Sequence, residues 1–208
     1  MKKTIILSLI ILAAAGSGFS QSIYSLSYEL ATPMGDMRNF ISKTSFRGLS
    51  FSADWYLNSR ITVGGTAEWN GFYEKNERHT WNFDGGSVTA NAWKEFYIIS
   101  LMANAKYYFV DDEEGGIFAP YIGLGVGTMY VDQNAQIGKY EFKDTYWRFA
   151  LAPEVGTRIP MGIERTWGFN VKLRYQMAFY NQNDINILQY LNYSVGVYWK
   201  IYPRGERY

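Results

Sequence analysis

Residues 168–180 read GFNVKLRYQMAFY. Phe169, Val171, Leu173, Tyr175, Met177 and Phe179 alternate with Asn170, Lys172, Arg174, Gln176 and Ala178. Successive side chains of a strand point to opposite faces, so strict alternation marks a strand whose two faces meet unlike surroundings. Ordinary strands run about 5–6 residues, and this one is about twice that. One face is an unbroken apolar row; the other carries amide and cationic groups. The fold turns on which face is inside.

The same period-two pattern recurs across the chain from Gln21 onward, and eight strands are predicted. They cover about 22–32, 46–57, 60–73, 95–110, 117–131, 144–159, the opening stretch at 168–180, and 189–202. In the fourth, Tyr97, Ile99, Leu101, Ala103, Ala105, Tyr107 and Phe109 oppose Ser100, Asn104 and Lys106. In the sixth, Trp147, Phe149, Leu151, Val155 and Ile159 oppose Arg148, Glu154 and Arg158. No long amphipathic helix is predicted. The connections after strands two, four and six are short (LNSR, DDEEGG, PMGIERTW), whereas those after one, three and five are longer. The connection after strand seven, NQNDINI, is short and departs from the alternation. An up-and-down sheet whose two ends face different compartments has this asymmetry.

Two closed eight-stranded architectures fit: a soluble barrel with its apolar face turned inward around a ligand, and a transmembrane barrel with that face turned to lipid. Three features favour the membrane. The polar faces are rich in Gly and Ser, which suit a narrow interior. The row from Tyr97 to Phe109 measures about 40 Å at ~3.3 Å per residue, or under about 30 Å of height at a ~45° tilt, close to the lipid band of such barrels. Aromatics also sit at both ends of the apolar rows. Trp55, Tyr107, Phe109, Phe169 and Trp199 would mark one boundary, and Trp69, Tyr73, Tyr97, Tyr130, Trp147 and Phe179 the other. The lumen would then hold a charge network in which Glu29, Asp54, Glu68 and Glu154 meet Lys106, Arg148, Arg158, Lys172, Arg174 and Lys200, since buried charge persists only when paired or hydrated. Arg148 is expected to pair with Glu154. Eight strands leave room for their own side chains only, so a general diffusion pore is not expected.

The first 20 residues, MKKTIILSLIILAAAGSGFS, have two lysines, an apolar run and a small-residue end. This is the layout of a cleaved signal peptide, with the mature barrel spanning 21–208. The apolar run falls short of the ~20 residues of a spanning helix. The 208 residues carry 20 basic and 19 acidic side chains, a formal net charge of +1. No basic surface for nucleic acid follows from that balance. Cys is absent, which removes disulfides, thiolate metal sites and Cys nucleophiles. Aromatics reach 18%, as expected of a protein that marks two interfaces. Mean hydropathy is −0.21, which suits a chain with only alternate residues facing lipid.

With its signal peptide, eight alternating strands and loop asymmetry, the chain resembles the small outer-membrane β-barrels of Gram-negative bacteria, the OmpA/OmpX/OmpW-like group. Ser194, Gly196, Trp199 and Ile201 resemble the assembly signal of that group's last strand, although PRGER separates Tyr202 from the terminal Tyr208. The resemblance implies an outer-membrane location, contact with outer-membrane lipids and insertion by the barrel assembly machinery. It implies no cofactor. Some barrels of this type modify lipid A through His and Ser, but the single histidine, His79 in ERHTW, reads better as a solvated loop residue. One His and no Cys make a weak metal site. Asp111, Asp112, Glu113 and Glu114 lack the alternating oxygen ligands of a calcium loop and read as a solvated turn. Gly123, Gly125 and Gly127 read as space for neighbours such as Tyr146 and Arg148. Pro153 marks a bulge or, as in OmpW-like conduits, a lateral opening. Residues 33–45, 74–94, 132–143 and 181–188 are the expected external loops. Trp81, Phe83 and Trp93 on the longest of these form a candidate face for another envelope protein. The expected role is non-enzymatic, with a plugged interior. A narrow conduit for small or hydrophobic solutes is the alternative, and a lipid-modifying enzyme stands third.

Overall fold

The computed structural model describes residues 21–83, 86–110, 116–137, 140–182 and 185–202, with the side chains of 76–92, 135–143 and 181–182 outside that description. The strands are β1 (Ser22–Met34), β2 (Gly48–Tyr56), β3 (Ile61–Phe83), β4 (Gly86–Tyr108), β5 (Ala119–Ile137), β6 (Tyr140–Met161), β7 (Trp167–Gln182) and β8 (Ile185–Ile201). A short helix, α1 (Gly35–Phe40), follows β1. Each strand pairs antiparallel with its neighbours in sequence, and β1 pairs with β8 from Ser22↔Ile201 to Met34↔Gln189, which closes the barrel. The opening stretch is β7, and Lys172, Arg174 and Gln176 are buried while Phe169, Val171, Leu173 and Phe179 are exposed. The fold is therefore an eight-stranded, all-antiparallel up-and-down barrel with its apolar face outside. An uncovered band of Leu, Ile, Val and aromatic side chains encircling a protein is what a lipid phase solvates and water does not.

The strands run further than the sequence pattern suggests. Residues 74–94 and 132–143 were expected as loops, yet Glu74 pairs with Lys94 and the β3–β4 ladder continues to Phe83↔Gly86. The β5–β6 ladder likewise continues to Ile137↔Tyr140. Polar residues beyond the lipid band lose the apolar alternation that identifies a strand, but their backbone groups still pair most economically across a hairpin. These hairpins prolong the wall at the loop end. At the opposite end, where β1 begins and β8 ends, the β2–β3 connection is a tight turn: Asn58 Oδ1 accepts from the backbone N–H of Arg60 at 2.9 Å and of Ile61 at 2.8 Å.

The segment 33–45 turns inward. Gly35 adopts a φ of +52°, which a side chain resists, and α1 then drops Met37 and Ile41 into the barrel with no exposure. They join Phe72, Phe96, Ile98, Met129, Val131, Tyr180, Leu188 and Tyr190 in one apolar cluster. The lumen is thus polar in its terminal half and apolar in its loop half.

Candidate functional site: the lumen and its loop-end rim

The terminal half is organised around Arg174, which has no exposure. Its Nη1 meets Glu68 and its Nη2 meets Glu154, with Nε donating to Glu154 at 2.6 Å. Glu154 pairs directly with Arg174 across the β6–β7 ladder, and Glu68 reaches from the other side of the barrel. Gln176 Nε2 donates to the second Glu68 oxygen. Lys172 Nζ lies 3.5 Å from Glu29 and 3.9 Å from Glu68, and donates to Ser50 Oγ at 3.2 Å. Lys106 Nζ lies 2.6 Å from Asp54 and 3.7 Å from Glu154. Asn192 and Ser194 each donate to Glu29 at 3.0 Å. Four carboxylates and three cations so form one cross-lumen network. Planar Arg forks and neutral donors supply the geometry that charges need when water is excluded.

Arg148 and Arg158, also named from the sequence, have other partners. Arg148 is half-buried in the loop half, where Nε donates to the Tyr180 carbonyl at 3.0 Å and the guanidinium lies 4.7 Å from the Tyr146 ring centroid. Its expected pairing with Glu154 is corrected: Arg174 holds that carboxylate. The physical reason is height, since Arg148 and Glu154 share a face of β6 six residues apart, about 20 Å along the strand. Arg158 sits near the terminal end in a tyrosine cage. Its guanidinium lies 4.0 Å from the Tyr108 centroid, 5.6 Å from Tyr198 and 5.8 Å from Tyr56, whose hydroxyl accepts from Nη1 at 3.2 Å. Three π faces replace a carboxylate there. Lys200 is buried on β8 opposite Ile23.

The glycine stripe has different neighbours from those expected. A Cβ on Gly123 would lie 2.9 Å from Glu154 and 3.1 Å from Lys106, and one on Gly125 would lie 2.9 Å from Asn104 Oδ1. Gly123 makes room for the network, Gly125 for Asn104 and Ala152, and Gly127 for the neighbouring backbone of Leu101 and Met102, so none of the three makes room for Tyr146 or Arg148. Asn70, whose Nδ2 donates to Glu29 at 3.4 Å, Asn192, Ser50 and Gln176 are network members that sequence reasoning left out of the site. Their signal was the inward phase of their strands, which charge alone does not reveal.

At the loop end α1 is tied to the wall. Phe40 packs edge-on to Phe96 at 5.2 Å, and Lys94 Nζ donates to the Phe40 carbonyl at 3.0 Å. Ser42 N–H donates to Glu74 at 2.6 Å, and Asn186 N–H donates to Asp36 at 3.1 Å. Partial burial lowers the Lys94 pKa from its ordinary range, with Glu74 opposing the shift. Trp93 is half-buried on β4. The side chains of Trp81, Phe83 and His79 lie outside the described residues, as do Asp111–Glu114 and 203–208.

On β8, Ser194 and Gly196 face the lumen, and Trp199 and Ile201 face outward. Exposed Trp69, Tyr97, Trp147 and Phe179 ring the loop end of the apolar band, and exposed Tyr107, Phe109, Trp167, Phe169 and Trp199 ring the terminal end.

Comparison with solved structures gives the same architecture. The chain superposes on Ail, the attachment invasion locus protein of Yersinia pestis, with a TM-score of 0.53 at 11% identity, covering 88% of this chain and 99% of that one. This is the fold of the small outer-membrane barrels. Neisserial surface protein A gives a TM-score of 0.55 at 15% identity, covering 87% of this chain and 96% of that one. No family model and no curated protein matches the sequence.

Proposed function

We propose that this chain is a non-enzymatic barrel of a Gram-negative outer membrane, closed to solutes, whose working surface is the loop end. The observation that carries the proposal is the double seal of the lumen. A buried ion-pair network fills one half, and α1 with its apolar cluster fills the other. With transport blocked, the parts left to act are the β3–β4 and β5–β6 hairpins that stand beyond the aromatic ring. Trp81, Phe83 and Trp93 lie on the longer of these and would anchor another envelope protein. Residues 1–20 would direct export and be cut before Gln21, and Ser194, Gly196, Trp199 and Ile201 would engage the assembly machinery. The test is a planar-bilayer recording of the folded, detergent-purified protein, paired with capture of envelope proteins by the wild type and by W81S/F83S/W93S. Silence with partner capture that the triple variant loses supports the proposal. Discrete channels, or capture that survives in the variant, overturn it.

One observation favours a conduit instead. The paired register of β6 and β7 covers Ala150 and Leu151 and resumes at Glu154, leaving Ala152 and Pro153 outside it. Pro153 has no N–H to donate at this seam. Recording with added hydrophobic solutes separates the two readings, because a lateral path responds to them and a sealed barrel does not.

A further inference from the structure

We infer that the outer wall of the barrel, just beyond its loop-end aromatic ring, holds a binding groove for a pyranose sugar. Tyr73, Trp93, Glu95 and Asn134 line a half-open cavity of about 310 Å³. This is at the small end of ligand-sized sites, which begin near 300 Å³. The ladders explain how the lining comes together. Tyr73 pairs directly with Glu95, and Glu95 with Asn134, so three strands contribute one continuous row. Trp93 is the next residue on the same face of β4, and Tyr97, on the other side of Glu95, belongs to the aromatic ring below.

The chemistry fits a neutral ring with hydroxyls. A pyranose has apolar C–H faces that lie on aromatic rings, and a rim that both donates and accepts hydrogen bonds. Tyr73 and Trp93 supply flat apolar surfaces. Glu95 supplies acceptors only and Asn134 both kinds of group. Glu95 is half-buried at the centre of this row, where its carboxylate can accept from a ligand's hydroxyls. Arg47 lies 6.0 Å from the Tyr73 ring, which adds donors at the margin and disfavours a cationic ligand. A purely apolar occupant would leave the carboxylate unmatched.

Two sources carry such sugars: the glycolipid headgroups at this height of an outer leaflet, and free glycans outside the cell. The first depends on the orientation proposed above, whereas the groove's affinity for a soluble sugar does not. The experiment uses the full mature chain folded in detergent, with folding of each variant checked by its heat-dependent gel migration. Saturation-transfer NMR and tryptophan fluorescence are recorded with methyl glucopyranoside, methyl galactopyranoside and deacylated lipopolysaccharide core. The expected result is millimolar binding, weakened about tenfold or more by W93A and by the near-isosteric E95Q, and unchanged by E164Q at the opposite end. E95Q keeps the test decisive if W93A does not fold. Binding of all three sugars indicates a general pyranose groove. Binding of the core alone assigns the glycolipid source, and binding of the simple glycosides alone assigns free glycans. No binding by any of them, or binding equal in wild type and E95Q, overturns the inference.

Discussion

The two halves of the lumen are filled by opposite kinds of side chain. Toward the terminal end, buried charges from six strands meet in one network, with Glu29 of β1, Asp54 of β2, Glu68 of β3, Lys106 of β4, Glu154 of β6 and Lys172 and Arg174 of β7. Toward the loop end, apolar side chains pack around Met37 and Ile41, which a turn of helix carries in from above. A buried ion network is intolerant: removing one member leaves others charged and dry. An apolar plug is tolerant in a different way, because a truncated side chain costs contacts but orphans no charge. The network fixes which strands face each other. The plug belongs to a connection, and the strand ladders close the barrel without it.

That contrast can be broken by substitution, and the largest effect should come from its centre. Arg174→Met leaves Glu68 and Glu154 facing each other and should cost on the order of 3–5 kcal/mol, read as a shift of the urea midpoint in lipid vesicles. A loss below about 1 kcal/mol would mean that water reaches the network and that the terminal half is not sealed. Met37→Ala or Ile41→Ala should cost about 2–3 kcal/mol, the low end for such truncations because a connection can resettle over the gap. The same variants should raise bilayer conductance little, since the network still blocks the path; open channels in either would make α1 the true gate. Arg148→Ala, on the same face of β6 as Glu154 but about 20 Å along the strand, should cost only about 1 kcal/mol, one carbonyl hydrogen bond and its aromatic contacts. An effect as large as that of Arg174→Met would place Arg148 in the network after all. Glu74→Gln should be smallest, under about 1 kcal/mol for a partly exposed contact, but should speed hydrogen exchange at the Ser42 amide that Glu74 holds.

How far the pattern could be read depended on the solvent of each face. In the lipid band, one side of every strand is apolar, and a register slip would turn that side inward. Phase alone therefore separated Phe169, Val171 and Leu173 from Lys172 and Arg174. Beyond the band both faces meet water or each other, the alternation fades, and 74–94 reads as a loop although it pairs as a hairpin. The inward phase also marked which charges enter the lumen, but not which of them meet. Two residues on one face of one strand, such as Arg148 and Glu154, are kept apart by the rise of the strand. Two on distant strands, such as Glu68 and Arg174, are brought together by closure.

The amino-acid sequence by itself determined the strand number, the phase of each strand and the apolar exterior, because these depend on residues near one another in the chain. The tertiary structure alone decided the pairing inside the network, the tyrosine cage of Arg158 and the inward fall of α1. Those depend on the stagger with which eight strands close and on the height each side chain then occupies, and no local pattern encodes either quantity.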